Sequence, residues 1–223
     1  MVFSLLPGPA IDDPLRKLLP APVIAALETQ TEQMRLLVIE PLLVCEPADL
    51  EKRFTELHGR FLELYLSGTL LVLGTLGELA PFVSITPHAF QASEDLIRSS
   101  MELLRLGSDV GNTVLRALKT LQRVVTGAFK AITNSAVRSG QKDAHLTELA
   151  KWTLACFQAV TCVLWAVNGR ISIPIRQENL AQLARWSANY ASGCYAIARD
   201  SGLLSPATAA GPRSFVNYTG VPD

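Results

Sequence analysis

Apolar residues in this chain fall in long leucine- and alanine-rich stretches spaced by three and four positions, and no stretch alternates apolar and polar residues between turn dipeptides. This pattern predicts an all-α protein, a multi-helix bundle. Prolines interrupt the start at Pro7, Pro9, Pro14, Pro20, Pro22 and Pro41, leaving room for a first helix over 22–40. Pro47 suits the first turn of a second helix, whose far end is weakened by Gly68, Gly74 and Gly77. A third is expected over 87–106, with Gly107-Ser108 stopping it and capping the next. The fourth runs to about Ser139 and ends at Gly140. Asp143 is placed to cap a fifth that ends at Asn168-Gly169, and Pro174 opens a sixth closed by Gly202.

The fourth helix carries the clearest signal. Residues 110–142 contain no acid, whereas Arg116, Lys119, Arg123, Lys130, Arg138 and Lys142 are basic. At about 100° per residue, Val110, Val114, Leu118, Leu121, Val125, Phe129 and Ile132 share one side. Arg116, Lys119, Arg123 and Lys130 share the other. A helix with one apolar and one purely cationic face suits an anionic membrane surface. It also suits an acidic protein partner, and nothing in it suits catalysis.

Two stretches raise a membrane question. Residues 152–169 carry no charge and lie at the lower edge of the ~20 residues that span a bilayer, with Lys151 and Arg170 at the ends. Residues 65–91 carry only Glu78 but are broken by prolines and glycines. Each reads as a membrane-inserted helix or as the core helix of a bundle. Trp165 near the end of the first run suits interfacial depth, and a core tryptophan equally.

Composition narrows the partners. Hydrophobic residues make up 49% of the 223 and mean hydropathy is +0.26, high for a soluble domain. The formal net charge of +0 disfavours nucleic acid. It conceals an acidic first half and a basic stretch over 98–142, where only Glu102 and Asp109 oppose eight bases. Cys45, Cys156, Cys162 and Cys194 have no paired spacing, and three lie in apolar surroundings, which points to a reducing compartment. The first fifteen residues lack a basic region ahead of an apolar run, so a secretory signal is not expected.

Chemistry is sparse. His58, His88 and His145 lack the Glu-x-x-His pairing of a di-metal bundle, and His145 with Glu148 is expected to form a surface pair. Phosphate-loop, dinucleotide and nucleophile-elbow patterns are absent. Glu56 and Glu63 read as a solvated face, and Asn217-Tyr218-Thr219 as a chance sequon. No cofactor, metal or enzymatic role is expected.

Four segments, in order, resemble the peroxin-11 family of peroxisomal membrane-elongation proteins. Leu103-Leu104-Arg105-Leu106-Gly107 is similar to its "RKLLRLG" signature. Gly59-Arg60 ahead of Tyr65 resembles the family's opening helix. Val163-Leu164-Trp165 with Gly169 resembles its "nvlW" element and turn, and Trp186 with Arg199-Asp200 its following helix. The likeness covers roughly 49–202. The departures are a longer spacing from Gly107 to Trp165, Thr161-Cys162 where the family commonly has an aspartate before the "nvlW" element, and no closing glycine-rich apolar helix. Residues 1–46 have no counterpart.

The chain is thus expected to divide into a proline-interrupted N-terminal extension (1–46), a helical domain that the resemblance makes peroxin-11-like (47–202) and a small-residue, polar, flexible tail (203–223). It implies a non-enzymatic, homo-oligomeric protein of the peroxisomal (microbody) membrane. Such a protein inserts amphipathic helices into one leaflet, elongates the membrane before fission and works with dynamin-related fission machinery. It adds Leu104, Arg105 and Leu106 to the membrane-binding residues. These then comprise Val114, Arg116, Leu118, Lys119, Leu121, Arg123, Val125, Phe129, Lys130, Ile132 and Trp165 as well. The alternatives are a soluble helical bundle serving as an interaction or assembly subunit, and a pore-forming helical protein.

Overall fold

The structure is a computed structural model and describes residues 19–79, 109–133, 140–167 and 171–204. Among the described residues every regular element is helical: α1 (Ala21–Met34), α2 (Glu40–Val44), α3 (Leu50–Leu79), α4 (Asp109–Thr133), α5 (Gly140–Val167) and α6 (Gln177–Asp200). The all-α bundle expected from the periodicity is therefore observed. The helix expected over 87–106, its Gly107-Ser108 stop and most of the tail lie outside the described residues.

The first helical run goes past Pro41, where a stop was expected. A proline ring inside an α-helix clashes with the carbonyl four residues back. Here the chain widens into a π-helical turn over Arg35–Ile39 immediately before it, so the backbone N–H of Glu40 bonds to Arg35 O, and Pro41 then sits in the first turn of α2. Arg35 ties the two sides of the wide turn together through Glu32 and Glu40. Pro47 opens a single 3-10 turn, Pro47–Asp49, that leads into α3. The glycines expected to weaken α3 are carried to Leu79 within one 30-residue helix.

Two other boundaries differ from expectation. Gly140 begins α5 instead of ending α4, and Asp143 lies inside α5 instead of capping it. At the far end Gly202 closes α6 as expected, with φ +69°. The N–H of Leu203 bonds to Ala198 O (2.9 Å) and that of Gly202 to Arg199 O (3.0 Å), the paired bonds of a Schellman close.

α5 is the centre of the bundle. It touches α2, α3, α4, α6 and the π turn, and residues 156–165 are buried without a break. Aromatic rings join the helices around it: Phe54 of α3 meets Trp186 (5.1 Å) and Tyr190 (6.1 Å) of α6, and Tyr65 stacks on Phe157 at 6.1 Å. Where α6 presses on α5, Gly193 leaves room for Trp152; a Cβ there would lie 2.2 Å from the indole Cζ3.

The expected division at 46/47 does not separate two cores. Leu27, Met34, Val38, Ile39, Leu42 and Leu43 belong to the same buried cluster as α3 to α6. Leu203 and Leu204, assigned to a flexible tail by sequence, are buried in it too.

Candidate membrane-surface site on helix α4

α4 runs from an acidic first turn at Asp109 to Thr133, within the stretch where the sequence placed it; the expected continuation to Ser139 lies outside the described residues. Its two faces are as the spacing requires, but the apolar one is already occupied. Val114, Leu118, Leu121 and Val124 are 1, 2, 2 and 0% exposed, packed with Ala117 against a bundle in which α6 is the main neighbour. Arg116, Lys119 and Arg123 are exposed on the opposite side. Three and four positions apart, they form one stripe along the helix.

The sequence-derived membrane set therefore splits. Arg116, Lys119 and Arg123 are at the surface. Val114, Leu118 and Leu121 are core residues, and in this arrangement they have no face to offer a bilayer. Val125, Phe129, Lys130 and Ile132 lie on the last turns of α4, before Thr133. Leu104, Arg105 and Leu106 lie outside the described residues. Trp165, expected at an interface, is 2% exposed in the middle of the bundle, and its indole N–H finds no hydrogen-bond partner among the described residues. Sequence reading overlooked Ala117 and Val124, although Ala117 three positions after Val114 and Val124 three positions after Leu121 continue the same helical stripe.

The apolar run expected over 152–169 belongs to α5. Among the described residues one helix is long and apolar enough to cross a membrane, Ala144–Val167, and 56% of its most apolar window is buried inside the protein. Polar side chains within it are matched to neighbours. Gln158, fully buried, faces His58 Nδ1 with its Oε1 at 2.7 Å and donates from its Nε2 to Phe54 O at 3.2 Å. With the Gln158 amide nitrogen committed to Phe54, its Oε1 must accept, so the proton sits on His58 Nδ1. Such fitted polar contacts belong to a protein interior.

The remaining candidate chemistry is structural. Cys156 Sγ bonds to Ser187 O at 3.1 Å, and Thr153 Oγ1 lies 3.6 Å from Cys194 Sγ. Burial, reinforced by neighbouring Cys194, holds the Cys156 thiol well above the ordinary range; burial also raises Cys162, and pushes Cys194 up to about 11. Thiols so placed are poor nucleophiles. Glu148 does not pair with His145: its carboxylate accepts from Trp152 Nε1 at 2.9 Å and faces Lys151 Nζ at 3.6 Å. Glu56 and Glu63 form the expected solvated face, paired with Arg53 and Arg60. Among the described residues no three His, Cys, Asp or Glu side chains converge as metal ligands.

No family model, curated protein or solved structure matches the chain.

Proposed function

We propose that this chain is a non-catalytic helical module that docks on anionic membrane surfaces, and that it serves the peroxisomal membrane shaping implied by its peroxin-11-like segments. The carrying observation is the exposed stripe Arg116–Lys119–Arg123 on α4, inside a stretch of 33 residues (110–142) without an acid. Each cation near an anionic leaflet contributes about 1 kcal/mol, so three give reversible, salt-sensitive attachment. Homo-oligomers would multiply that attachment, since linked sites bind far more tightly than single ones. Dynamin-related fission machinery enters only through the resemblance.

The test is sedimentation of the purified chain with phosphatidylserine-containing and with neutral vesicles, followed by electron microscopy. Binding to the anionic set alone, with tubules, supports the reading. Failure to bind either set removes it.

A second reading, a soluble assembly subunit, is favoured by the continuous burial of residues 156–165 in α5. In cells it predicts a protein released without detergent or carbonate, and a diffuse signal beside a peroxisomal matrix marker. Leakage of trapped dye from the same vesicles would point instead to a pore.

A further inference from the structure

The apolar face of α4 can be buried in the bundle or in a leaflet, but not in both at once. Val114, Ala117, Leu118, Leu121 and Val124 are all buried, while the cationic stripe is left outside. We propose that α6, with the Leu203-Leu204 turn that closes it, is an intramolecular cover that holds α4 in a latent state, and that leaflet insertion requires α4 to leave it. This inference rests on the membrane reading above.

Three features make the contact a releasable cover. First, the cationic face is exposed while the bundle is closed, so electrostatic attachment precedes opening and concentrates the protein where α4 has an alternative apolar environment. Second, the side chains α6 buries against its neighbours taken together are mostly small, Ala184, Ala191 and Ala198 among them, while Ser187 and Cys194 meet Cys156 and Thr153 of α5. A helix lined with small residues exposes less apolar area on release than one lined with leucines. Third, the contact has a defined latch. Leu204 packs into the notch left by the missing side chain of Gly127; a Cβ on that glycine would lie 2.3 Å from Leu204 Cδ2 and 3.6 Å from Leu203 O. Leu204 is fixed to α6 by its own backbone N–H, which bonds to Ala198 O at 3.2 Å.

The closeness of Gly127 to Leu204 also supplies the test. Gly127→Cys with Leu204→Cys, in a Cys45→Ser background, puts a cysteine pair at that contact, and its oxidation to a disulfide, confirmed by mass, locks α4 to the end of α6. Phosphatidylserine vesicles are incubated with the oxidised and reduced forms, and binding, monolayer insertion and tubulation are measured. The oxidised form is expected to sediment with the vesicles but to lose insertion and tubulation, and reductant is expected to restore both. Equal tubulation by the two forms overturns the cover and leaves the membrane reading intact. No sedimentation of either form, or of the unmodified protein, overturns both. Gly127→Leu acts in the opposite direction by displacing Leu204. If it keeps its helical circular dichroism, it should insert at lower protein density than the parent, and equal insertion would again overturn the cover.

Discussion

Asn179 holds the end of α2: its side-chain amide donates to Leu42 O at 3.0 Å and to Cys45 O at 2.9 Å, across more than 130 residues of chain. Beside it, the Arg176 backbone N–H donates to Leu43 O (2.9 Å) and its Nε to Val44 O (3.2 Å). The terminal carbonyls of a helix have no partners within it, and here those of Leu42, Leu43 and Val44, with that of Cys45 just beyond, are satisfied by Arg176 and Asn179 at the start of α6. Asn179→Ala should leave Cys45 O without its donor and Leu42 O with only the weak Cys45 thiol contact at 3.6 Å, costing about 2 kcal/mol. Urea unfolding would show a lower midpoint with an unchanged slope. An unmoved midpoint would mean that water replaces the amide.

The contact of Gly193 with Trp152 gives a prediction with its own control. Gly193→Ala must push the indole aside, which in a packed site costs roughly 1–3 kcal/mol. With Trp152 reduced to alanine the obstacle is gone. Gly193→Ala should then turn neutral or stabilising, because alanine is favoured over glycine in a helix by up to about 1 kcal/mol. A double-mutant cycle on thermal unfolding measures the difference. Additive effects would show that the ring and the glycine are not in contact.

Trp165 separates core from interface without any lipid present. A buried tryptophan truncated to alanine costs about 3–5 kcal/mol, so Trp165→Ala should be severely destabilised in aqueous buffer. Trp165→Phe loses some packing but also removes a buried N–H that has no partner among the described residues. Those terms oppose each other, and the net change should stay below about 1.5 kcal/mol. A tryptophan waiting at a membrane interface would tolerate both substitutions in solution.

The helical periodicity of α3 to α6 was legible because it is a local property: apolar residues every three or four positions require one buried side wherever it is buried. What covers that side was not legible. Val114, Leu118 and Leu121 satisfy a bilayer and a protein core with the same pattern, and the choice is made by α6, beginning some 55 residues later. Pro41 misled for a related reason. The ring forbids an ordinary α-turn, but a π turn one residue earlier removes the clash, and nothing in Arg35–Ile39 announces it. Gly140 shows the converse, since glycine marks helix ends without saying which helix it bounds. The Asn179 and Arg176 contacts to α2 depend on the closing of a long loop, and no spacing encodes them.

The buried thiols make stability fall on the alkaline side. The folded protein keeps Cys156, Cys162 and Cys194 protonated above the usual thiol range, with Cys194 raised to about 11, whereas an unfolded thiol ionises near pH ~8.5. Between those values the unfolded chain binds fewer protons, so stability is complete below about pH 8.5 and declines as pH rises towards the folded values. Urea midpoints between pH 7 and 10 should fall, and less steeply for Cys194→Ala. At pH 8, dithionitrobenzoate should label half-buried Cys45 first. The other three should react only as the bundle opens, and immediate labelling of all four would contradict their burial.

Arg116, Lys119 and Arg123 lie on the solvent side of α4, so replacing all three by glutamine should keep the helix content and move the unfolding midpoint little, because an exposed charge contributes at most about 1 kcal/mol through its surface pairings. Binding to phosphatidylserine vesicles should respond strongly. At about 1 kcal/mol per cation, the triple substitution removes about 3 kcal/mol, a loss on the order of 100-fold in partitioning at low salt. The unmodified protein should approach the same weak binding as added salt shortens the screening length, and the two curves should converge. Such convergence would assign the attachment to these charges. If the triple variant instead binds as tightly as its parent, and that binding is indifferent to salt, attachment is apolar and the stripe is a solvated face with no role at membranes.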